Sequence, residues 1–383
     1  MHHFRKTTRR TIKPALEHPV KQLTEQPAIP PGNRKTFAKW LVMAFTLSLM
    51  PAAPLHAAGN VTGLGFLTGG VFSVAHGVSA DGSVVAGYND SVVPGVSASR
   101  QAFRWTQSGG MAGLGFLPGG NDSKAHGVSA DGSVVVGYGG SAKGTQAFRW
   151  TKAGGMAGLG YLPGNTGSYA FGVSADGSVV VGYSRSANNA QQAFRWTKSV
   201  GMTGLGFLPG DIYSRAYAAS ADGSVVVGYS QNSEGRKQAF RWTKADGMTS
   251  LGFLPGGSDS AAVGVSADGS VVAGRSASSN GPRAFCWTQA GGMKDLGTLP
   301  GTTGSRAFAV SADGTTVAGY SELGNSNIAF RWTQSGGMTK LDFLDGGAHN
   351  AAFGVSADGS VVVGHSSGSS GNQAVRWEST KRK

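Results

Sequence analysis

The chain has 383 residues, of which 40% are hydrophobic and 14% are charged, and 63 of them are glycine. This apolar content is sufficient for a buried core and excludes the charge-rich composition of a disordered chain. The formal net charge is +13, but residues 1–57 hold nine Lys or Arg against two Glu, so the remainder is weakly basic and nucleic acid is not expected as a partner.

Residues 1–57 have the features of a leader that ends in a secretory signal peptide. Basic residues between 34 and 39 precede an apolar run at 40–50, which has the length of a signal core and is too short to cross a bilayer. We therefore expect cleavage near Ala57 and no transmembrane helix. We expect the protein to be secreted, to the extracellular space, the cell surface or the periplasm. The long stretch before residue 34 is either an extended leader or the result of a start codon assigned too early.

Beyond the leader, the phrase Ser-Ala-Asp-Gly recurs seven times, with its Asp spaced 45 to 50 residues apart. A tryptophan in the phrase Gln-Ala-Phe-Arg-Trp-Thr, or a variant of it, recurs with the same period. Such a regular period is typical of a repeat architecture. We expect a leader at 1–57, a seven-repeat domain at 58–377 and a basic tail at 378–383. The aspartates of the repeated phrase are Asp81, Asp131, Asp176, Asp222, Asp268, Asp313 and Asp358.

Each repeat reads as four short strands, which we call segments one to four. In the third copy segment one is 170–175, and an Asp-Gly pair follows that is a strong hairpin signal, because Gly accepts a positive φ. Segment two, 178–184, is rich in β-branched residues. Segment three, 192–197, alternates aromatic and polar residues with a period of two. Segment four is 202–208, and no helical period persists anywhere in the unit.

The two ends of the repeat domain predict how it closes. Residues 61–67 read as a segment four with nothing before it, and the last copy ends after segment three at 373–377. The simplest reason is that the first strand completes the last blade of a ring. We predict an all-β, seven-bladed β-propeller of four-stranded antiparallel blades. A parallel β-helix with two coils per repeat is the alternative, and the Asp-Gly hairpins argue against it.

The units resemble the bacterial extracellular repeats of the HAF family. The resemblance is carried by SADGSVVVGYS, QAFRWT and GGM and covers residues 61–377, with Gln101 in the position of the family's His and Gln again in most later copies. It implies an exported repeat protein that is similar to an autotransporter passenger. We expect no barrel, since six residues follow Trp377. The family has no settled activity to carry over.

The repeated charged residues suggest structure rather than catalysis. Seven equivalent aspartates cannot form one active site, and a single Asp before Gly lacks the alternating acids of a calcium loop. Six of the seven copies carry an Arg in segment three, and we hypothesise that each Arg bonds the turn Asp of its own blade. The pairs are Arg104 with Asp81, Arg149 with Asp131, Arg195 with Asp176, Arg241 with Asp222, Arg331 with Asp313 and Arg376 with Asp358.

No catalytic, cofactor or metal site is expected. Cys286, the only cysteine, takes the Arg position of the fifth copy and reads as an inert thiol. His76 and His126 occupy a segment-one position that holds Phe in other copies, which favours aromatic packing over a metal site. The glycine-rich phrases lack the strand-to-helix context of a phosphate loop.

The loops after segments two and four vary between copies, whereas the other connections barely change. We expect a rigid ring that binds at the variable face. The function that we predict is that of an exported, non-catalytic and monomeric scaffold, which binds a surface glycan or a protein. The candidate ligand residues are Arg100, Lys124, Tyr169, Arg185, Tyr213, Arg215, Arg236, Lys237, Arg283, Arg306 and His349.

The alternative function is that of a secreted hydrolase acting on polysaccharide. It requires two carboxyl groups about 5 to 10 Å apart in one pocket. The loop acids to test are Asp211, Glu234, Asp259, Glu322 and Asp345.

Overall fold

The computed structural model describes residues 60–91 and 99–379. Short strands rich in Val, Phe, Trp and Tyr alternate with turns, and the described residues hold 28 strands. These strands form seven four-stranded antiparallel sheets, so the predicted propeller is confirmed and the β-helix alternative is wrong. The predicted leader lies outside the described residues, as does most of the predicted basic tail.

Blades 1 to 3 are three consecutive meanders. Blade 1 consists of β2 (Gly70–Val78), β3 (Val84–Ser91), β4 (Ser99–Thr106) and β5 (Gly110–Gly113), blade 2 of β6 (Ser123–Val128), β7 (Val134–Ser141), β8 (Gly144–Thr151) and β9 (Gly155–Gly158), and blade 3 of β10 (Asn165–Val173), β11 (Val179–Ser186), β12 (Gln191–Thr197) and β13 (Gly201–Gly204).

Blades 4 to 6 repeat the same order. Blade 4 consists of β14 (Tyr213–Ala219), β15 (Val225–Gln231), β16 (Lys237–Thr243) and β17 (Gly247–Gly252), blade 5 of β18 (Ser260–Val265), β19 (Val271–Ser276), β20 (Arg283–Thr288) and β21 (Gly292–Asp295), and blade 6 of β22 (Gly304–Val310), β23 (Thr316–Leu323), β24 (Ser326–Thr333) and β25 (Gly337–Lys340).

Blade 7 is built from both ends of the described chain. It contains β26 (Asn350–Val355), β27 (Val361–Gly368) and β28 (Gly371–Glu378), and β1 (Val61–Gly63) supplies its fourth strand. β1 pairs antiparallel with β28, with Val61 opposite Trp377. The closure predicted from the offset of the repeats is therefore confirmed.

The first strand of each blade lines a central channel, and each blade presents its connections at two opposite faces. The face with the Asp-Gly turns and the links between the third and fourth strands is called the turn face. The opposite face, with the variable loops, is called the loop face. This separation follows from the antiparallel order of the strands, since alternate connections must lie at opposite ends of a meander.

Seven apolar clusters fill the spaces between neighbouring blades. The cluster between blades 3 and 4 contains Val181 and Ala193 from blade 3 and Val226 and Phe240 from blade 4. Alternate residues of a strand point to opposite faces of a sheet, so each blade contributes one set of side chains to the blade before it and another set to the blade after it. Six segment-three phenylalanines are fully buried in this way: Phe103, Phe148, Phe194, Phe240, Phe285 and Phe330.

A ring of backbone hydrogen bonds connects the seven Asp-Gly turns at the turn face. The amide of Ala80 donates to the carbonyl of Ala130 at 2.9 Å, and each later blade repeats this bond to its successor. Ala357 donates back to Ala80 at 2.9 Å, which closes the ring. The full series is Ala80 to Ala130, Ala130 to Ala175, Ala175 to Ala221, Ala221 to Ala267, Ala267 to Ala312, Ala312 to Ala357 and Ala357 to Ala80.

A second ring passes through buried serines near the loop face. The amide of Ala193 in blade 3 donates to Ser214 Oγ of blade 4 at 2.9 Å, and this hydroxyl donates to the carbonyl of Gly206 at 2.7 Å. In blade 7 Asn350 replaces the serine and accepts from the amide of Ala329 through Oδ1. A serine on the first strand of one blade thus satisfies two backbone groups of the preceding blade at once.

Candidate functional site

The turn aspartates are structural. Asp176 Oδ1 accepts hydrogen bonds from Ser174 Oγ at 2.6 Å and from the amide and hydroxyl of Ser178 at 3.0 and 2.8 Å. These bonds lower the pKa of the Asp176 carboxyl, and the same set lowers the pKa of Asp81 to about 2. The prediction that these aspartates are turn residues agrees with this geometry.

The hypothesis that each repeat Arg bonds its own turn Asp is wrong. Arg195 Nε donates instead to the carbonyl of Gly223, in the turn of the next blade, at 3.0 Å. Arg104, Arg149 and Arg241 make the same bond to Gly132, Gly177 and Gly269, at 3.1, 3.0 and 3.3 Å. The partner is a carbonyl one blade further on, and the own-blade pairs proposed for Asp81, Asp131, Asp176 and Asp222 are replaced by the serine contacts of each turn.

Strand register explains this outcome. Arg195 lies opposite Val181, and Val181 packs in the cluster between blades 3 and 4, so the guanidinium also points toward blade 4. The turn of blade 4 approaches closely because Gly223 has no side chain. A Cβ there would lie 2.5 Å from Val179 Cγ2, and its φ of +67° also favours glycine.

The remaining copies depart from this pattern. Arg376 Nη1 forms an ion pair with Glu378, whose carboxylate is half exposed. Burial lowers the pKa of Arg331, while the charge of Asp358, again in the turn of the next blade rather than its own Asp313, raises it. Cys286 is half-buried, and burial raises the pKa of its thiol to about 12, which fits the predicted inert thiol.

Besides Tyr213, which begins β14, four candidate ligand residues lie on the first strands of their blades, where the channel opens at the loop face: Lys124, Tyr169, Arg215 and Arg306. Each is partly buried and pairs with a residue of the second strand, Lys124 with Tyr138 and Arg215 with Tyr229. The structure thus brings these four to the rim of one opening, which we call the channel mouth.

The cationic side chains of Lys124 and Arg215 at the channel mouth contact the faces of tyrosine rings. Lys124 Nζ lies 5.2 Å from the ring centre of Tyr88 and 5.7 Å from that of Tyr138. The Arg215 guanidinium lies 4.5 Å from the ring centre of Tyr183 and also contacts Tyr229. These distances are within the range of cation–π attraction.

Two further candidates extend this arrangement. Arg185 lies 5.5 Å from the ring centre of Tyr169, and Lys237 Nζ lies 5.4 Å from that of Tyr229. The second-strand tyrosines were missed in the sequence, although a Gly-Tyr pair recurs in five of the seven copies. Those tyrosines are Tyr88, Tyr138, Tyr183, Tyr229 and Tyr320.

Deeper in the channel the histidines pack as aromatic residues. The rings of His76 and His126 have centres 4.6 Å apart, and His76 also contacts Phe353 at 5.1 Å. Burial lowers the pKa of His76 to about 3, with the charges of His365 and Lys124 adding to the effect. Both rings are therefore neutral at pH 7, since burial also lowers the pKa of His126 well below its ordinary value.

The other candidates are engaged elsewhere on the loop face. Arg100 forms an ion pair with Asp90 at 3.4 Å, and Arg236 forms one with Glu234 at 3.2 Å. Arg283 donates to the carbonyls of Pro282 and Thr303. These three side chains are held by local contacts, and the charge of Arg100 also acts on Tyr88, whose pKa it lowers against the larger raising effect of burial.

The two remaining candidates lie at strand ends. Tyr213 begins β14 opposite Gln231. His349 Nδ1 accepts from the amide of Asn327 at 3.1 Å, and its Nε2 contacts His365 Nε2 at 3.1 Å. Since Nδ1 of His349 is an acceptor, Nε2 carries the proton and donates it toward His365.

The five loop acids lie at blades 4, 5, 6 and 7, two of them at blade 4. Glu322 Oε1 accepts from Arg306 Nε at 2.7 Å, and Asp259 Oδ2 accepts from the amide of Lys237 at 3.3 Å. Glu234 pairs with Arg236 in the blade 4 loop, Asp211 precedes blade 4, and the Asp345 carbonyl accepts from the amide of Ser369 near blade 7. The carboxylates of Glu322, Asp259 and Glu234 thus have a basic or backbone group as partner, whereas paired acid catalysis requires a second carboxyl group.

A cavity of about 550 Å³ occupies the channel. Its wall includes His76, Tyr217, Phe308, Arg275 and Arg306. This volume lies in the range of small-molecule sites. Within residues 60–91 and 99–379, no group of three or more His, Cys, Asp or Glu side chains could hold a metal ion. The same part of the chain contains no helix long and apolar enough to span a membrane.

No protein-family model matches the chain, and no curated protein matches it. Among solved structures, it is similar to oligogalacturonate lyase from Vibrio parahaemolyticus, with a TM-score of 0.58, 11% identity and coverage of 84% of this chain and 94% of the lyase chain. It is also similar to prolyl oligopeptidase B from Galerina marginata, with a TM-score of 0.54 and 10% identity over 82% of this chain and 50% of that chain.

TolB from Acinetobacter baumannii is a further similar structure, with a TM-score of 0.46 and 15% identity over 68% of this chain. This chain spans 63% of the TolB chain. At these identities the comparisons concern the fold, and the likeness to the lyase agrees with a propeller of four-stranded blades.

Proposed function

We propose that this protein is an exported, non-catalytic binding module that takes its ligand at the channel mouth. The observation that carries the proposal is the set of cations held against tyrosine rings there, above a cavity of about 550 Å³. Partly buried Lys and Arg side chains on aromatic platforms are pre-organised, so that little rotamer entropy is lost when a ligand binds.

The carboxylates of Glu322, Asp259 and Glu234 have an arginine or a backbone amide as their partner, and this supports binding over hydrolysis. Export is supported by the signal-like features of residues 1–57, and membership of the HAF-type repeat family is part of the same proposal. The partner class is a glycan or a protein of a cell surface.

The test is a glycan array together with a whole-cell binding assay on protein expressed from its full coding sequence. Lys124→Ala and Arg215→Ala are expected to reduce binding at least about fivefold each, because each removes a cation that is partly desolvated on its tyrosines. Lys198→Ala is the matched control, since Lys198 is an exposed cation on the turn face.

Equal binding by all three variants and the unmodified protein would refute the channel mouth as the binding site. Export is tested separately, by fractionating the producing cells and sequencing the amino terminus of the accumulated protein. Cleavage near Ala57 supports export, whereas an intact leader on cytoplasmic protein contradicts it.

A further inference from the structure

Blade 5 interrupts the aromatic lining of the channel. Ring contacts run from Phe72 in blade 1 to Tyr229 in blade 4, and they continue from Phe308 in blade 6 through blade 7 back to His76. At the equivalent positions blade 5 carries Val263 on its first strand and Arg275 on its second. The second-strand series is Tyr88, Tyr138, Tyr183, Tyr229, Arg275, Tyr320 and His365.

This substitution changes the partner of the next cation. The second-strand tyrosine of one blade supports the cation of the following blade, as Tyr88 supports Lys124 and Tyr183 supports Arg215. Arg306 in blade 6 is the next cation in that series, and the position that would supply its tyrosine holds Arg275. Arg306 therefore has an arginine in the preceding blade at the position where Lys124 and Arg215 each have a tyrosine.

The two arginines differ in their hydrogen-bond and ion-pair partners. Arg306 Nε donates to Glu322 Oε1 at 2.7 Å. Arg275 is partly buried and makes neither an ion pair nor a side-chain hydrogen bond with any residue that the structure describes. Burial raises the pKa of Tyr320, and the positive charges of Arg306 and Arg275 each oppose this rise. Both arginines therefore lie near the Tyr320 hydroxyl.

Both guanidinium groups line the channel cavity, beside the small side chains of Ala261 and Val263. Together with Glu322 they leave a single net positive charge at this part of the wall. Like charges side by side at a cavity wall are unfavourable unless an anion compensates them. One excess charge matches a monoanion better than a doubly charged phosphate.

We propose that the break in blade 5 is the anion-recognition point of the channel, where Arg275 and Arg306 pair with the carboxylate of an acidic sugar. A guanidinium binds a carboxylate through two parallel hydrogen bonds. The rings of Phe308 and Tyr217, which line the same cavity, offer flat surfaces for the apolar face of a pyranose. This inference rests on the proposed function and adds the ligand class and the residues that select it.

Three probes with one ring and different groups at the sixth carbon test the proposal: glucose, glucuronate and glucose 6-phosphate. Titration calorimetry on protein expressed from its full coding sequence is expected to show glucuronate binding at least about tenfold more tightly than glucose, from one charge-assisted pair. Glucose 6-phosphate is expected to bind more weakly than glucuronate. Equal binding of glucose and glucuronate, or no glucuronate binding at millimolar concentration, overturns the proposal, and preferential binding of the phosphate overturns the assignment to a carboxylate.

Arg275→Tyr is the decisive variant, because it installs the residue that five other blades carry at this position. It is expected to remove the preference for glucuronate, and Lys198→Ala is expected to retain it. Unchanged glucuronate affinity in Arg275→Tyr overturns the role of Arg275. If whole-cell binding still depends on Lys124 in that case, the proposed function stands and only the anion site fails.

Discussion

The amide of Ala357 donates a hydrogen bond of 2.9 Å to the carbonyl of Ala80, which joins the Asp-Gly turn of blade 7 to that of blade 1. The same two blades are joined near the loop face, where the amide of Ala374 donates to Ser73 Oγ at 2.8 Å. Blade 7 therefore meets blade 1 through a turn hydrogen bond and a buried serine, as blade 3 meets blade 4. What differs in blade 7 is internal, because its outer strand comes from the other end of the described chain.

Trp377 is expected to be the most costly of the repeat tryptophans to replace. It is 1% exposed, and its indole Nε1 donates to the carbonyl of Asp342 at 2.7 Å, whereas Trp196 is half-buried. Trp377→Ala should lower the free energy of unfolding by about 4 kcal/mol, through lost packing and a lost hydrogen bond. Urea denaturation followed by circular dichroism measures the change.

Trp196→Ala is the matched control, with an expected loss of about half that size because part of its ring already faces water. Trp377→Phe separates the two contributions, since it keeps most of the packing and removes the indole donor. Equal losses in Trp377→Ala and Trp196→Ala would show that blade 7 has no special dependence on its tryptophan.

Arg195 and Asp176 are expected to contribute independently to stability. Arg195 bonds the Gly223 carbonyl of blade 4, and Asp176 bonds serines of its own turn. Each single Ala variant should lose about 1 kcal/mol or somewhat more. A double-mutant cycle should give a coupling energy below about 0.5 kcal/mol, as expected for side chains that share no partner.

The coupling energy decides between the two arrangements of this pair. A direct bond between Arg195 and Asp176 would give a coupling above about 1 kcal/mol. The cycle of Arg195→Ala with Gly223→Ala does not serve as a substitute, because a Cβ at Gly223 would itself collide with Val179.

The blade count and the closure of the ring could be predicted from the repeat pattern. The period, the strand-forming residues and the offset of residues 61–67 are all consistent with the same path of the chain. The repeat pattern could not determine the partner of Arg195. Every blade has an identical turn, so a sequence argument cannot distinguish Asp176 in the same blade from Gly223 in the next. That choice depends on which face of the sheet Arg195 occupies, and the strand register settles it.

Only part of the candidate site was predicted, because residues that recur in most copies are difficult to tell apart in the sequence. Lys124 and Arg215 differ from their counterparts in other copies, so they were visible as exceptions to the repeat. Tyr88 and Tyr183 recur as the same residue in five of the seven copies, so they did not stand out from the repeat. Their role as platforms arises between blades, where the tyrosine of one copy meets the cation of the next.

The channel histidines are expected to reduce stability in mild acid. The pKa of His76 is about 3 and that of His365 about 4 in the folded protein, both below the ordinary value of 6.5. The unfolded chain therefore binds more protons below pH 6.5, and the folded state loses stability as the pH falls toward these values. The turn aspartates, with Asp81 at about 2 against 3.8, add a separate loss only below about pH 4.

His76→Phe should reduce the acid sensitivity, because Phe occupies this position in blades 3, 6 and 7. Between pH 8 and pH 4.5 the variant should lose about 2 kcal/mol less stability than the unmodified protein, from the titration of one buried imidazole. Urea denaturation at the two pH values measures this difference. Phe171→His is the reverse control and should steepen the loss; identical pH profiles for all three proteins would contradict the prediction.

Cys286 is expected to react slowly with alkylating reagents in the folded protein. Burial raises the pKa of its thiol to about 12, so the thiolate fraction at pH 8 is on the order of one part in ten thousand. Iodoacetamide at pH 8 should leave the native thiol largely unmodified over an hour, and addition of urea should make labelling complete, as mass spectrometry can follow. A cysteine at the exposed position 199, introduced as Ser199→Cys in a Cys286→Ser background, should be labelled within minutes. Equally fast labelling of native Cys286 would show that the space between blades 5 and 6 opens readily to water.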